Sequence, residues 1–246
     1  MRIARIVTES GPRSVVQQQD RWAEIIDPFA ENLVYTGVTH PVATAHLLAP
    51  VEPLVVLGMA HNGTPGDRDI PRQAFIKSPR TVIGPGETIT VDDDLGQVNI
   101  EGELTVVIRR TSRHLTAEQV PAAILGYTIG NDVTAVDQIG LDEKMTQSKN
   151  GDGFTPIGPW IETELDSGTV PMSVSVNGDV VAEANTNQLA WNITEQLVYL
   201  TSYLTLGPGD IVLTGAPGTF TPVKPVDTGQ ISLGGIGTLT NPVRSR

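Results

Sequence analysis

Short apolar runs separated by turn residues dominate the chain. Runs rich in Val, Ile, Leu and Thr alternate with the turn sequences "GPGETI", "DDDLGQ", "VNGD", "LGPGD", "GAPGTF" and "DTGQ". Glycine, proline, Asn and Asp at these positions are typical of the tight turns that join β-strands. The pattern therefore predicts a mainly β protein whose strands form a sandwich, barrel or roll.

Two segments depart from this pattern and favour helices. "TAEQVPAAIL" opens with Thr116, a residue that caps helices well. In "NITEQLVYLTSYL" the apolar residues recur at helical spacing behind a cap at Asn192 or Thr194: Ile193, Leu197, Leu200 and Leu204. We expect a helix in each segment.

The first fifty residues have the pattern of a small module. "RIARIV" and "RWAEII" predict strands, and "PVATAHLLAP" predicts a short helix. "PVEPLVVLG" follows, apolar and flanked by proline, and predicts the first strand of a larger domain. We therefore divide the chain into an N-terminal module of residues 1–50 and a main domain of residues 51–246.

Composition narrows the chemistry that the chain can perform. Without cysteine it has no disulfide and no thiol nucleophile, so a metal must be bound by oxygen or by one of four histidines. A formal net charge of -12 disfavours nucleic acid as a partner, because phosphate binding needs a basic surface. The first residues, "MRIARIVTESGPRS", lack the apolar stretch of a signal peptide, and no run is long enough to span a membrane. We expect a soluble, cytoplasmic protein.

The apolar strand "NIEGELTVVIRR" contains two acids, Glu101 and Glu103. Residues two apart in a strand point to the same side, roughly 6.7 Å from each other. Two anions at that distance repel by about 2.5 kcal/mol at an effective dielectric constant of ~20. Either this side of the strand faces water, or a cation offsets the repulsion.

Asp132, in "GYTIGNDVTAVDQ", is the next acid in an apolar setting. An Asp that follows Asn is often only a turn residue. The alternative is that Glu101, Glu103 and Asp132 converge on one divalent cation. An all-oxygen set of ligands favours Mg²⁺, Mn²⁺ or Ca²⁺ over zinc or copper.

Four ordered blocks resemble the fumarylacetoacetate hydrolase family: "IEGELTVVI", "GYTIGNDVTAVDQ", "KNGDGFTPIGPWI" and "LTLGPGDIVLTGAPG". "AFIKSPRTVIGPGETI" extends the similarity, which covers roughly residues 53 to 240. Within this family the chain resembles the bacterial 2-hydroxyhepta-2,4-diene-1,7-dioate isomerases and acylpyruvate hydrolases. The resemblance implies an α+β, mainly β fold, a mixed β-sandwich roll around a metal site, usually in a homodimer.

The resemblance also implies roles for individual residues. Glu101, Glu103 and Asp132 would bind Mg²⁺ or Mn²⁺, with Ca²⁺ as a third option, and Lys149 would be the active-site lysine. Lys77 matches a second family lysine, which is either substrate-binding or purely structural. The remaining positions implied to bind substrate are Asp152, Thr214 and Gly215.

A site of this kind implies a small 2-oxo acid as substrate. Three carboxylates leave about half of the octahedral positions of Mg²⁺ open, and a 2-oxo acid can occupy two of them. The metal would then act as a Lewis acid that stabilises an enolate, with Lys149 as a second positive charge. The same electron sink serves C–C hydrolysis, decarboxylation and tautomerisation, and the family contains all three.

The loop "GMAHNGTPGD" departs from the family pattern "G-x-N-Y-x-x-H-x-x-E", whose histidine and glutamate activate water. Thr64 stands at the histidine position and Asp67 at the glutamate position, while His61 lies three residues earlier. We expect this loop to be a flexible lid, with His61, or failing that Asp67, as the acid–base group. His61 has an alternative role as a packing residue near a strand end.

Other departures concern the substrate. Val136 and Ala216 stand where the family often has arginine and threonine, and Gly151 and Gly153 replace bulkier residues beside Asp152. Because arginine and threonine bind carboxylates, their loss suggests a substrate that is less anionic at its far end, or one of different shape. The missing water-activating histidine favours tautomerisation or decarboxylation over hydrolysis. A non-catalytic metabolite-binding protein is the alternative of another class.

Overall fold

Eighteen strands form two sheets in the computed structural model, which describes residues 1–246. The strands are β1 Arg2–Thr8, β2 Gly11–Gln18, β3 Arg21–Ile25, β4 Tyr35–Pro41, β5 Val56–Ala60, β6 Gln73–Lys77, β7 Val82–Ile83, β8 Ile89–Val91, β9 Val98–Ile108, β10 Ile124–Asn131, β11 Thr134–Ala135, β12 Thr155–Glu162, β13 Pro171–Val176, β14 Asp179–Asn185, β15 Ile211–Leu213, β16 Phe220–Val223, β17 Thr228–Leu233 and β18 Gly237–Ser245. The α-helices are α1 Val120–Ala123, α2 Thr146–Lys149 and α3 Ile193–Tyr203. Turns of 3-10 helix lie at Val42–Thr44, Pro65–Asp69, Pro79–Thr81, Ala117–Gln119, Val136–Gln138 and Thr186–Gln188.

The larger sheet has thirteen strands and the smaller one has five. The main path of the larger sheet runs β4-β3-β2-β1-β12-β10-β9-β15-β5-β6, with β11 and β16 also paired to β9 and β7 to β12. The smaller sheet runs β14-β13-β17-β18-β8. Both sheets contain parallel and antiparallel pairs. The predicted α+β, mainly β fold with mixed sheets is confirmed.

Apolar side chains fill the space between the two sheets. Ile100 and Leu104 of β9 pack there against Val174 and Ile231 of the smaller sheet. A second group of buried residues lies under α3, where Leu197 of the helix joins the core. Strand β9 is thus held on its apolar side by a sheet at one end and by a helix at the other.

Strands β1 to β4 extend the larger sheet and are continuous with it. β1 pairs with β12 through Arg2 and Glu162, and through Ile3 and Ile161. The strands predicted at "RIARIV" and "RWAEII" are confirmed as β1 and β3. The polar, exposed strand β4 and the mixed strand β2 were not predicted, because neither shows a clear apolar alternation.

The helix predicted in "PVATAHLLAP" is wrong beyond the 3-10 turn at Val42–Thr44. After that turn the chain runs beside β1 instead, where the Val7 N–H donates to the carbonyl of His46 at 3.0 Å and the Leu48 N–H to that of Arg5 at 2.9 Å. Bonding to the part of β1 that β12 leaves unpaired satisfies backbone groups that a helix would otherwise satisfy, and Ala49 at the end of the segment is buried.

Of the two helices predicted in the main domain, one is confirmed in full. Asn192 caps α3: its side chain accepts from the N–H of Glu195, whose carboxylate accepts from the N–H of Asn192, each at 2.9 Å. "TAEQVPAAIL" forms only a 3-10 turn and the four-residue α1, because Ile124 begins β10. None of the helices has the length and apolarity that a membrane-spanning helix needs.

Candidate active site

Strand β9 directs both of its acids to one side. Glu101 and Glu103 alternate with core positions, as the period of a strand requires. Gly102, between them, faces the core, where a Cβ atom would come within 3.0 Å of Val174 and Ile231. The absence of a side chain at Gly102 therefore lets the smaller sheet pack closely against the strand that carries the acids.

Asp132 reaches the same site from the end of β10. Its N–H donates to the carbonyl of Glu101 at 3.0 Å, and the N–H of Glu101 donates to Oδ1 of Asn131 at 3.0 Å. These bonds fix the end of β10 against β9. The carboxylate oxygens of Glu101, Glu103 and Asp132 lie within 4.8 Å of one another. The structure thus brings together the three acids that the sequence identified.

Two lysines bind the carboxylate of Asp132 from opposite directions. Nζ of Lys149 lies 2.5 Å from Oδ2 and 2.7 Å from Oγ1 of Thr134. Nζ of Lys77 lies 2.5 Å from Oδ1 and 2.6 Å from the carbonyl oxygen of Phe154. Lys77 is fully buried, whereas Lys149 lines the cavity above the acids. Lys77 therefore supports Asp132 from behind, and Lys149 can also contact a ligand.

Burial and mutual repulsion dominate the titration of the acids. Burial raises the pKa of Glu103 well above its ordinary value, and the charge of Asp132 adds to this. Burial also raises the pKa of Glu101, although Lys149 partly offsets it. Burial alone would raise the pKa of Asp132, but the ammonium groups of Lys149 and Lys77 outweigh it and lower that pKa. Asp132 is therefore the acid that stays ionised most easily.

The pKa values of the two lysines also shift in opposite directions. Burial lowers the pKa of Lys77 more than Asp132 raises it. For Lys149 the order is reversed: burial would lower its pKa, but Asp132 and Glu101 together raise it. The raised pKa keeps Lys149, which faces the cavity, positively charged.

This set of residues fits a hard divalent cation. The donors are carboxylate oxygens, the ligands that Mg²⁺, Mn²⁺ and Ca²⁺ prefer. A cation would relieve the repulsion that raises the pKa values of Glu101 and Glu103. Each oxygen of Asp132 has a further lone pair beyond the one that a lysine occupies, so its two lysine contacts leave acceptor capacity.

Thr214 and Gly215 make hydrogen bonds to other groups of the protein. The N–H of Gly215 donates to Oε2 of Glu103 at 2.6 Å, which orients that carboxylate. The φ angle of Gly215 is 109°, and a Cβ atom there would collide with Asn62, so only glycine fits. Thr214 is buried, and its hydroxyl donates to the carbonyl of Leu104 at 2.7 Å. Neither residue lines the cavity, so their predicted role in substrate binding stays a prediction.

His61 lines the cavity, at the end of β5. It is exposed and has a φ angle of 52°, a backbone conformation that is uncommon outside glycine. The next residue, Asn62, is buried and fixes this point of the loop. Its side-chain amide donates to the carbonyl of Thr214 at 2.6 Å and accepts from the N–H of Trp191 at 2.7 Å. The imidazole is therefore carried on an anchored piece of backbone.

Asp67 has a different environment. Its Oδ2 accepts from the N–H groups of Gly63 and Thr64, at 2.8 Å and 2.9 Å, and so closes the 3-10 turn at Pro65–Asp69. It does not line the cavity. The role of Asp67 as the alternative to His61 in acid–base chemistry stays a prediction.

Two arginines bind the same loop to helix α3. The guanidinium of Arg68 makes two bonds with the carboxylate of Glu195, at 3.0 Å and 2.9 Å. Arg68 and Arg72 each place their Cζ 4.5 Å from the centre of the Trp191 ring. Cation–π contacts on both guanidinium groups thus add to the anchor at Asn62.

Asp152 lies outside the site. Its side chain is 70% exposed and pairs with Nη2 of Arg246 at 2.9 Å. The structure does not bring this residue to the cavity. The resemblance to the family implied its role in substrate binding, and that role stays a prediction.

Several residues of the site were not singled out from the sequence, among them three that fix its geometry. Thr134 holds Lys149, and Phe75 places its ring 4.6 Å below the same ammonium group. Asn62 anchors the loop. The position of Thr134, two residues after Asp132, was the one available signal. The other two contacts join distant parts of the chain.

The acids lie at the bottom of a cavity of about 380 Å³. Its floor contains Glu103 and Asp132, both buried, and its mouth contains Phe220 and Ile139, which are 60% and 41% exposed. The remaining lining residues are Met59, Ala60, His61, Asn62, Gly63, Phe75, Glu101, Thr134, Met145, Lys149 and Ala216. The site therefore combines an acidic floor with an apolar mouth.

Known sequences and structures resemble this chain over its whole length. A family model described as fumarylacetoacetate (FAA) hydrolase C-terminal matches residues 47–244, and one described as Rv2993c-like N-terminal matches residues 1–50. Protein Rv2993c of Mycobacterium tuberculosis is 39% identical over 222 residues, which are 85% of this chain and 82% of that protein.

Two solved structures bear on the site. The 5-carboxymethyl-2-hydroxymuconate delta-isomerase of Mycobacterium smegmatis is 37% identical, with a TM-score of 0.94 and complete coverage of both chains. The maleylpyruvate hydrolase of Sphingobium sp. SYK-6, solved with manganese(II) and pyruvate, is 25% identical, with a TM-score of 0.82 and coverage of 100% of this chain and 99% of that one.

Proposed function

Because this chain belongs to the fumarylacetoacetate hydrolase family, we propose that it is a metal-dependent enzyme acting on a 2-oxo acid or its enol. The reaction that we favour is keto–enol tautomerisation or a related isomerisation, with decarboxylation as a second use of the same site. The observation that carries the proposal is the cluster of Glu101, Glu103 and Asp132 at the floor of a cavity that Lys149 also lines.

The three acids would hold Mg²⁺ or Mn²⁺, and Ca²⁺ is the third option. A bound divalent cation supplies Lewis acidity toward the carboxylate and keto oxygens of a 2-oxo acid. The complex of the maleylpyruvate hydrolase with manganese and pyruvate supports this combination of metal and ligand.

Lys149 would stabilise negative charge on the substrate. Its ammonium group is charged, buried and fixed by Asp132 and Thr134, so it needs little rearrangement to face a developing oxyanion. The ring of Phe75 beneath the ammonium group limits the access of water.

His61 would move the proton at C3 of the substrate. An imidazole can accept a proton from carbon and return it to the same molecule at neutral pH. The exposed ring at the cavity suits this exchange, since a tautomerase needs a proton shuttle and no activated water.

Hydrolysis of a C–C bond is the alternative reaction. It needs a group that activates water, and in this chain Asp67 is engaged with the N–H groups of Gly63 and Thr64. The similarity to a maleylpyruvate hydrolase is the observation in favour of hydrolysis. His61 alone would then have to serve as the base.

A substrate panel separates these reactions. Oxaloacetate, acylpyruvates and 2-hydroxymuconate-type dienes would be followed by ultraviolet absorbance, with and without magnesium. We expect magnesium-dependent tautomerisation. Rapid cleavage of acylpyruvates would overturn the preference, and binding without turnover of any panel member would support a metabolite-binding protein instead.

The proposal includes a homodimer without nucleic-acid or membrane partners. Exposed apolar side chains, among them Leu54 and Tyr203 at 86% and 71% exposure, support association with a second copy. Light scattering at micromolar concentration would measure the mass of the particle. A monomer mass would contradict the proposed homodimer.

A further inference from the structure

The lining of the cavity contains few cationic side chains. Among the lining residues, Lys149 is the one lysine and His61 the one histidine, and there is no arginine. Arg68 and Arg72, on the adjoining loop, are engaged with Glu195 and Trp191. Lys144 lines a neighbouring hollow, beside Glu143. Apart from Lys149 and His61, the lining therefore offers no cationic side chain to a ligand.

Apolar side chains occupy the mouth instead. Ile139 and Phe220 lie at the rim, and Phe75, Met145 and Ala216 continue the apolar surface inward. Ala216 is one of the positions at which the sequence departs from the family pattern. Val136, another such position, does not line the cavity, whereas Ile139, three residues later, does.

The lining contains three carboxylates, those of Glu101, Glu103 and Asp132, and one ammonium group, that of Lys149. A second carboxylate on a 2-oxo acid would remain unpaired beside apolar side chains, in a protein of net charge -12.

From this lining we propose that the cavity selects 2-oxo monoacids with an apolar group beyond C3, alkyl or aryl, over dicarboxylates. The group lies against Phe75, Met145, Ile139 and Phe220 while the 2-oxo carboxylate faces the acids and Lys149. This inference rests on the proposed function for its 2-oxo acid head. It also excludes oxaloacetate as the preferred substrate and so favours tautomerisation over decarboxylation.

A matched pair of ligands tests the inference by binding alone. 4-Methyl-2-oxopentanoate and 2-oxoglutarate are 2-oxo acids of similar length, the first with an isopropyl group that begins at C4 and the second with a carboxylate at C5. Calorimetric titration of magnesium-loaded protein should show at least about tenfold tighter binding of 4-methyl-2-oxopentanoate, as expected for burial of an isopropyl group. Equal or tighter binding of 2-oxoglutarate, or no binding of either acid, would overturn the inference.

Variants of the mouth provide a second test. Ile139→Arg places a guanidinium where a distal carboxylate would lie, and it should shift the affinity ratio toward 2-oxoglutarate by about tenfold or more. Leu141→Arg is the matched control, since it adds the same charge two residues away, outside the cavity lining. An equal shift in both variants would contradict a role of the mouth.

Turnover distinguishes this inference from the proposed function. Tautomerisation of phenylpyruvate and of oxaloacetate would be compared by kcat/KM under the same conditions. A higher value for oxaloacetate overturns the apolar selection and leaves the proposed reaction in place. Selective binding of the monoacid without turnover would support the inferred ligand class and contradict the proposed reaction.

Discussion

The ammonium nitrogen of Lys77 lies 2.5 Å from Oδ1 of Asp132, and no part of the lysine side chain is exposed. The same nitrogen contacts the carbonyl oxygens of Phe154 and Val133, at 2.6 Å and 3.3 Å. All three N–H donors of the ammonium group therefore have acceptors. The pair joins β6 to the end of β10 beneath the candidate metal site, where Asp132 could not stay both buried and ionised without a partner.

Removing this lysine should destabilise the protein. In Lys77→Met the carboxylate of Asp132 loses one of its two partners, and breaking a buried ion pair costs about 3–5 kcal/mol. Urea denaturation of the chelator-treated protein would measure the loss. Lys144→Met is the control, because an exposed lysine contributes little. A change under about 1 kcal/mol in Lys77→Met would show that the pair adds no stability.

Metal binding should depend on the three acids. Calorimetric titration of chelator-treated protein with Mg²⁺ or Mn²⁺ is expected to show a single site, which Glu103→Gln abolishes. The substitution keeps the size of the side chain and removes one of the three ligand charges. Glu143→Gln, on the exposed segment outside this cavity, serves as the control. Wild-type affinity in Glu103→Gln would refute the assignment.

The stability of the metal-free protein should respond to pH through Glu103. Its pKa is raised in the folded state above the ordinary value of 4.5, by burial first and then by the charge of Asp132. The folded state therefore holds this proton more tightly, so the contribution is fully present below about pH 4.5 and is lost as pH rises through the folded pKa.

We expect the free energy of unfolding of chelator-treated wild type to fall more steeply than that of Glu103→Gln as pH rises above 4.5, the ordinary pKa of glutamate. Magnesium should remove most of the difference, because the cation favours the ionised carboxylate. Urea titrations at several pH values would measure both slopes. Parallel slopes for the two proteins would argue against the raised pKa.

His61 should be needed for turnover and not for the metal. His61→Ala and His61→Asn are expected to lower kcat by at least about 100-fold while metal affinity is unchanged. Asn tolerates the positive φ angle at this position better than Ala, so the pair separates loss of the imidazole from backbone strain. His46→Ala, an exposed histidine elsewhere, is the control. Near-normal kcat with lower thermal stability would assign His61 a packing role.

The loop of residues 61–72 should close more tightly over a bound ligand. Hydrogen exchange of its amides is expected to slow when magnesium and a 2-oxo acid are both present, because excluding water strengthens the electrostatics of the site. Trp191→Leu removes the ring that Arg68 and Arg72 cover and should raise KM more than it lowers kcat. Unchanged exchange rates with ligand would show that the loop is not a lid.

The acids of the site were predictable because strand geometry is local. The period of β9 places Glu101 and Glu103 on one side, and no distant contact is needed to infer it. The order of the motifs then indicated Asp132 and Lys149. The four-residue helix that carries Lys149 gave no signal, since so short a segment has no period.

Contacts across the chain could not be predicted. Asn62 binds the backbone of Trp191, 129 residues later, and nothing in either local sequence indicates the pairing. At Asp67 the family position suggested chemistry, and the two local hydrogen bonds that its carboxylate accepts, from the N–H groups of Gly63 and Thr64, were not anticipated. Exposed strands such as β4 were missed because hydrogen bonds to a neighbouring strand stabilise them, and they bury few apolar side chains that a pattern would reveal.

Strand β18 pairs in parallel with β8, through Val243 with Ile89 and Ser245 with Val91. During synthesis β9 therefore leaves the ribosome long before β18, the strand that completes the smaller sheet, which packs on the side of β9 opposite to the acids. Until β18 has been made, this support of β9 is incomplete, and completing it closes a loop of more than a hundred residues between β8 and β18. Activity should accordingly appear only after β18 has left the ribosome.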